Sequence, residues 1–285
     1  MTLSPEYLHD LVTKSLAEDL GKGDITTQAL VNQEIAASAT ITLKQAGMVA
    51  GLDILAAVFQ HLDKQVTVSL LQKEGTYCKS GTPLAKIEGP AHALISGERV
   101  ALNLLKHASG VATITHAYVK KVQGTGAKIL DTRKTLPGLR ILEKYAVKVA
   151  GGVNHRFRLD DRFVIKTNHL LLLKGTSKNP IRETIEKVHN ENPQLPIEIE
   201  VRDVEQFQEA LNTKASSIML NKMNPSEVKK CVQLGKAKGK KIFIESSGTI
   251  TLETVRAYAE TGIDGIAIGE LTHSVPDLDI SMRLF

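Results

Sequence analysis

The sequence predicts an α/β protein: a short or irregular barrel of the TIM type, preceded by a small antiparallel β module with helices. Three observations predict it. From about Ala36 to Gly89 apolar residues recur with a period of two, the mark of half-buried strands. From Lys128 onward, short apolar runs alternate with amphipathic stretches of helix length, the rhythm of parallel strands joined by crossover helices. The ends of those runs carry cationic, acidic and amide side chains, as expected where barrel strands present an active site. An open doubly wound sheet is the alternative. No GxGxxG or phosphate-binding P-loop marks a nucleotide fold.

The elements follow in order. Ser4-Pro5 reads as an N-cap and first helical position, Leu8, Leu11, Val12 and Leu16 share a helical face, and Gly21 is a stop. Ile41 and Leu43 alternate with Thr40, Thr42 and Lys44; Val66, Val68 and Leu70 alternate with Thr67 and Ser69. Leu52, Leu55, Ala56 and Phe59 fit a short helix between Gly51 and Gln60. A helix from roughly Gly97 turns Val100, Ala101, Leu104, Leu105 and Ala108 to a core. Seven strand candidates come next: Lys128–Leu130, Val153–His155, Phe163–Lys166, Ile197–Val201, Ser217–Leu220, Ile242–Glu245 and Gly265–Ile268. Helices are expected at Leu139–Val149, Pro180–Glu191, Val204–Leu211, Pro225–Lys238 and Leu252–Thr261.

A chain of 285 residues suits one large domain or two modest ones. The start lacks the apolar stretch of a secretory signal, and the longest strongly apolar run, Leu170 to Leu173, is far too short to span a bilayer. Cys78 and Cys231 lie far apart with no ligand at metal spacing, so neither a disulfide framework nor a zinc site is expected, and a reducing cytosol is the default. The absence of Trp and the scatter of other aromatics argue against a single-strand nucleic-acid surface. The net charge of +5 is local: Asp131 to Lys174 holds ten Lys and Arg against four Asp and Glu, more than the whole excess. Such a cluster suits a small polyanionic ligand better than a long nucleic-acid track.

Strand one runs into Asp131-Thr132-Arg133-Lys134, strand two into Asn154-His155-Arg156, and strand three ends at Lys166 before Asn168 and His169. Strand four contains Glu198 and Glu200, which share a face because they are two apart; inside a barrel both need cations or donors nearby. The fifth ends at Asn221, the sixth at Glu245-Ser246-Ser247-Gly248 and the last at Gly269; Ser and Gly there offer backbone N–H groups to a phosphate. An isolated Arg or Lys is ordinarily a solvated surface charge. Arg133, Lys134, Arg156 and Lys166 depart from that reading because they fall at corresponding ends of successive strands, whereas Lys144, Lys148, Arg162 and Lys174 are read as surface or supporting charge. Glu200 has a structural reading as a satisfied buried carboxylate, and Gly248 and Gly269 as plain turn glycines. His107, His116 and His273 read as structural, and both cysteines as inert.

These motifs, in order and spacing, resemble the quinolinate phosphoribosyltransferase family over nearly the whole chain. They are Glu18-Asp19-Leu20-Gly21-x-Gly-Asp24-x-Thr26, Glu98-Arg99-x-Ala-Leu-Asn103, Asp131-Thr132-Arg133-Lys134-Thr135-x-Pro137-Gly138, Gly151-Gly152-x-Asn154-His155-Arg156, Ile165-Lys166-x-Asn168-His169, the Glu200 strand, Asn221, Glu245-x-Ser247-Gly248 and Gly269-x-Leu-Thr-His273. The resemblance implies an N-terminal open β-sandwich module at 1–110, to which the tail 275–285 returns, and a catalytic barrel of about seven strands at 111–274. It implies an enzyme of NAD biosynthesis that joins quinolinate to phosphoribosyl diphosphate with loss of CO2, and a homodimer or higher homo-oligomer with shared sites. Arg99 then resembles the arginine that reaches into a neighbouring subunit's site. Thr132, Arg133, His155, Arg156 and Lys166 resemble substrate-binding residues, of which Arg133, His155, Arg156 and Lys166 face the quinolinate. Lys134, Glu200, Asn221, Ser247, Gly248 and Gly269 resemble positions around the sugar donor, with Lys134, Glu200 and Asn221 as the catalytic set. Mg2+ is expected, held mainly by the diphosphate with Glu200 and Asn221 nearby.

Four positions depart from the family pattern: Asn221 stands where an aspartate is usual, Thr167 replaces an acidic residue, and Arg158 and Thr249 replace glycines. Two alternatives remain. One is a related phosphoribosyltransferase-fold protein with a changed substrate, such as the relatives associated with molybdenum uptake; Arg99 and the Asn-His-Arg156 triplet argue against it. The other is a carrier module, because Glu74-Gly75 to Gly89 has the cadence of a lipoyl or biotinyl hammerhead; Lys86, however, falls in a strand pattern rather than at a hairpin tip.

Overall fold

The computed structural model describes residues 3–173, 180–239 and 241–285, so Lys174 lies outside the described residues. The chain divides into two compact units: residues 1–116, 135–151 and 271–285 form one, and 117–134 with 152–270 the other.

Helix α1, Pro5–Leu20, opens as its sequence dictates: the Ser4 hydroxyl accepts from Tyr7 N at 3.2 Å, and Leu11, Val12 and Leu16 are buried. Helix α2 is Ile25–Leu30, strand β1 Ala36–Leu43 and strand β2 Gly47–Met48. In β1 the buried side chains Ala39, Ile41 and Leu43 are two apart. Helix α3, Leu52–Leu62, has no capping side chain of its own. Glu74 supplies one from a distant loop, accepting from Gly51 N and, at 3.0 Å, from Leu52 N. Strands β3, Thr67–Leu70, β4, Tyr77–Cys78, and β5, Pro83–Pro90, complete the module. Strand β3 departs from the expected half-buried pattern: it pairs only with β5, as an edge, and leaves Leu70 42% exposed, so Val66 just before it carries the burial. Lys86 lies inside β5, paired across to Thr40.

Helix α4, Ala91–Val122, is longer than the reading from Gly97 because residues 91–96 continue the same helix, with Ala93 and Leu94 buried. Its Gly110 lies so close to the Pro276 carbonyl that a Cβ has no room, which explains a glycine in a helix interior.

Strand β6, Lys128–Leu130, begins the second rhythm and helix α5, Arg140–Val149, follows. Residues 142–147 of α5 are all buried, so Lys144 is an interior residue; of the two sequence readings, surface or supporting charge, burial excludes the surface one. Then come β7, Phe163–Ile165, α6, Thr167–Leu172, α7, Pro180–Glu191, β8, Ile197–Val201, and α8, Val204–Leu211. The remaining elements are β9, Ser217–Asn221, α9, Pro225–Ala237, β10, Phe243–Ser247, α10, Val255–Ala259, β11, Gly265–Ala267, α11, Glu270–His273, and β12, Ile280–Leu284. Helix α9 carries a full capping box, with Asn224 accepting from Glu227 N at 3.1 Å and Glu227 accepting from Asn224 N at 2.9 Å.

In the first unit β12 returns to pair antiparallel with β1, giving a four-stranded sheet in the order β12-β1-β5-β3. In the second, six parallel strands run in the order β6-β11-β10-β9-β8-β7, so the first strand of the series lies beside the last. Every residue of β8 is buried, as a central parallel strand requires. The expected strand Val153–His155 is reduced to one bridge, Val153 to Leu130. The reason is local. Asp131 accepts from His155 N at 2.8 Å and from Asn154 Nδ2 at 2.6 Å, so a side chain takes the N–H that a ladder would use.

Candidate active site

The C-terminal ends of the parallel strands enclose a cavity of about 380 Å³. After β6 stand Thr132, Arg133 and Lys134; from the bridge segment come His155 and Arg156; Lys166 follows β7; Glu200 projects from β8; Asn221 ends β9 and Ser247 ends β10. Each of these residues lines the cavity. Of the other residues singled out from sequence, Gly248, Gly269 and Arg99 are not among its lining residues. Gly248 instead packs on the next loop: a Cβ there would sit 3.2 Å from the Lys222 backbone. Lys222, directly after Asn221, is the non-glycine residue at positive φ (59°) among the described residues, and its N–H donates to Ser247 O at 2.8 Å. Arg99 is exposed on α4 in the first unit.

The cavity is electropositive and its cations crowd one another. Burial, and then the charge of Arg133, pull the Arg156 guanidinium below its ordinary pKa. Arg133 Nε is buried with no hydrogen-bond partner among the described residues. Two guanidiniums held together with an unspent donor form a receptor for an anion.

Beneath them lies an ion-pair network. His155 Nε2 is 3.0 Å from Glu198 Oε2 and 3.4 Å from Glu245 Oε1, and Arg162 Nη1 is 3.5 Å from Glu198 Oε2. Both carboxylates are essentially inaccessible. Burial works to lower the His155 pKa, but the hydrogen bonds and charges of Glu198 and Glu245 outweigh it and raise it to about 9. Burial raises the Glu245 carboxyl. The three donor atoms lie within 4.8 Å of one another, a spacing that suits a metal ion. Two cations, the imidazolium and Arg162, already face the two carboxylates, however, and the group is read as a charge-balanced network. Arg162 therefore supports the site from outside the cavity.

Glu200, the other carboxylate of β8, has different company. Its Oε1 accepts from Thr167 Oγ1 at 2.6 Å and from Asn221 Nδ2 at 2.9 Å. Sequence reasoning did not place Asp131, Glu245 or Thr167 in the site. Asp131 sat within a motif read for its cations, and Glu245 gives no sign in sequence that it meets His155. Thr167 stands out in the sequence only as a departure from the family pattern. Outside the site, His107 Nε2 meets the buried Glu143 carboxylate at 2.9 Å, and the buried thiol of Cys231 is pushed up to about 12, both in keeping with structural roles.

The model of the family described as quinolinate phosphoribosyl transferase, C-terminal domain, matches residues 111–283, and its N-terminal counterpart matches residues 24–109. The chain is 41% identical over 276 residues to a probable nicotinate-nucleotide pyrophosphorylase [carboxylating] of Bacillus subtilis, covering 96% of this chain and 92% of that one. It is 39% identical over 278 residues to the nicotinate-nucleotide pyrophosphorylase [carboxylating] of Mycobacterium leprae, covering 96% of each. Among solved structures, the nicotinate-nucleotide pyrophosphorylase from Ehrlichia chaffeensis superposes with a TM-score of 0.91 at 35% identity over 100% of both chains.

Proposed function

The chain belongs to the quinolinate phosphoribosyltransferase family, and from that premise we propose that it converts quinolinate and phosphoribosyl diphosphate to nicotinate mononucleotide, CO2 and diphosphate. One observation in the structure carries the reading: Arg133 and Arg156, crowded together with an unpaired buried donor, line a cavity with Lys134, His155 and Lys166. That is a receptor for a small dicarboxylate rather than for a neutral ring.

Arg133, Arg156, His155 and Lys166 hold the two carboxylates and point the pyridine nitrogen at C1 of the sugar. That nitrogen already has a lone pair, so no general base is required. The N–C bond forms as the C1–O bond to diphosphate breaks. Positive charge that builds on the sugar ring is met by Glu200, while Lys134, Asn221, Ser247 and the backbone near Gly248 and Gly269 hold the sugar and phosphates. The carboxylate beside the ring nitrogen then leaves as CO2, its bonding electrons pass to the cationic ring, and the carbon takes up a proton. Catalysis is positioning and electrostatics.

Mg2+ is the expected metal. One carboxylate with an amide beside it fits an ion that keeps several waters and shares substrate phosphates, and does not fit a dedicated protein cage. When bound, the ion supplies charge neutralisation to the departing diphosphate. The expected seven-stranded barrel remains part of this reading, supported by the strand order, with the bridge at Val153 as the seventh position. So do the division near residue 110 and a homo-oligomer in which a neighbour supplies Arg99, the latter supported by the exposure of Arg99. Among the described residues no helix is long and apolar enough to cross a membrane. The reading gives no role to nucleic acid, and it places the enzyme in the cytoplasm.

The test is a product assay with quinolinate, phosphoribosyl diphosphate and Mg2+, and nicotinate as the competing substrate. Nicotinate mononucleotide and CO2 from quinolinate alone support the reading. No product from folded protein, with any divalent metal, moves the related-transferase reading to first place.

A further inference from the structure

The two departures from the family pattern at Thr167 and Asn221 meet at one atom. Thr167 is the first residue of α6, Asn221 the last of β9, and Glu200 lies on β8 between them. The hydroxyl and the amide both donate to Glu200 Oε1, at 2.6 and 2.9 Å. No described residue donates a hydrogen bond to Oε2. The amide orientation follows from this chemistry: with Oδ1 turned to Glu200, two acceptors would face each other.

We infer that Thr167 and Asn221 are positioning residues that occupy one oxygen of Glu200 and leave the other as a fixed acceptor for the hydroxyls of the sugar donor, in a site too weakly anionic to hold a divalent cation by itself. The inference rests on the proposed sugar-phosphate reading of this cavity. Two arguments support it. A carboxylate oxygen that already accepts two hydrogen bonds has both lone pairs engaged, so a cation approaching Oε1 meets N–H and O–H hydrogens. Charge points the same way. The trio contributes a single negative charge, while Arg133, Lys134, Arg156 and Lys166 line the same cavity. A free divalent cation is repelled there, whereas one chelated by a diphosphate arrives with its charge more than offset. Neutral donors also spare the anionic sugar diphosphate the repulsion of additional carboxylates.

The experiment uses the full chain and four variants: Thr167→Val, Thr167→Ser, Asn221→Ala and Asn221→Asp. Mn2+ binding is read by electron paramagnetic resonance without substrates, and phosphoribosyl diphosphate binding by calorimetry, besides KM and kcat. Wild type should take up no Mn2+ at low millimolar concentration, and Asn221→Asp should acquire one site. Thr167→Val should weaken sugar-donor binding roughly tenfold, the cost of one charge-assisted hydrogen bond, with quinolinate KM and the fold unchanged, and Thr167→Ser should restore it. Mn2+ held by free wild type and lost in Asn221→Ala overturns the inference. So does Asn221→Asp without a gained site, or Thr167→Val with unaltered sugar-donor affinity. A wild type that binds the sugar donor but makes no product from quinolinate sinks the functional reading alone, because the binding measurements still decide the roles of Thr167 and Asn221.

Discussion

His155 Nε2 lies 3.0 Å from Glu198 Oε2, and that contact sets the charge of the cavity floor. The partner carboxylates outweigh burial and raise the imidazole to about 9. A group whose folded pKa is raised stabilises the fold fully below its unfolded value and loses that contribution as pH climbs through the folded one. The contribution, on the order of 3 kcal/mol, is therefore complete below about pH 6.5 and lost toward pH 9. The raised Glu245 carboxyl acts in the same direction, favouring the fold at lower pH. Chemical denaturation between pH 6 and 9.5 should show stability falling with pH, and quinolinate KM should rise over the upper part of that range. In Glu198→Gln the KM rise should begin nearer pH 6.5. A His155 resonance that titrates near 6.5 in the wild type would refute this account.

Asp131 organises the bridge segment. It accepts from His155 N at 2.8 Å and Asn154 Nδ2 at 2.6 Å and is fully buried. Asp131→Ala should cost roughly 3 kcal/mol, because hydrogen bonds to a buried charge are among the strong ones. It should raise quinolinate KM more than sugar-donor KM, since His155 and Arg156 are the residues set adrift. A thermal melt and a two-substrate kinetic matrix check both parts; equal effects on the two KM values would deny Asp131 a specific positioning role.

The contrast between Asp131 and Arg133 shows what was legible. Arg133, Lys134 and Lys166 could be read because cations recur where successive apolar runs end, and strand periodicity locates those ends. β8 and α8 fall where their apolar patterns place them. Asp131 could not be read, because its partners lie 23 and 24 residues away and no period links them. The second expected strand, Val153–His155, shortens to a single bridge for the same reason: it looks extended, but a side chain captures its backbone. Helix α6 escaped because Leu171 and Leu172 are 55% and 85% exposed, so its apolar run has no amphipathic period. Its start is instead fixed by Lys166 N donating to His169 Nδ1 at 2.9 Å.

Gly248 and Lys222 interlock the loops after β10 and β9. Gly248 has φ 143°, and a Cβ there would lie 3.2 Å from both Lys222 N and Cα. Gly248→Ala should cost roughly 1–2 kcal/mol from strain. It should lower kcat/KM for the sugar donor at least about tenfold, because the two displaced loops begin at Ser247 and at Asn221. Calorimetric melting and steady-state kinetics measure the two effects. An unimpaired variant would show that the loops yield without disturbing the phosphate end.

Arg99 provides the test of a shared site. It is exposed on α4 and lies outside the lining of the cavity, whereas Lys166 lines it. Arg99→Ala should nevertheless abolish activity while leaving stability nearly unchanged, as expected for an exposed side chain. Lys166→Ala should be inactive too. Suppose each site draws Arg99 from a neighbour in a twofold dimer. A mixed dimer then has one site with Lys166 from the first variant and Arg99 from the second, and one site lacking both. Random exchange makes half of the dimers mixed, so an equal mixture should recover roughly a quarter of wild-type activity. Exchange would be verified by native mass spectrometry of differently tagged chains. Full exchange with no recovered activity would mean that each chain completes its own site.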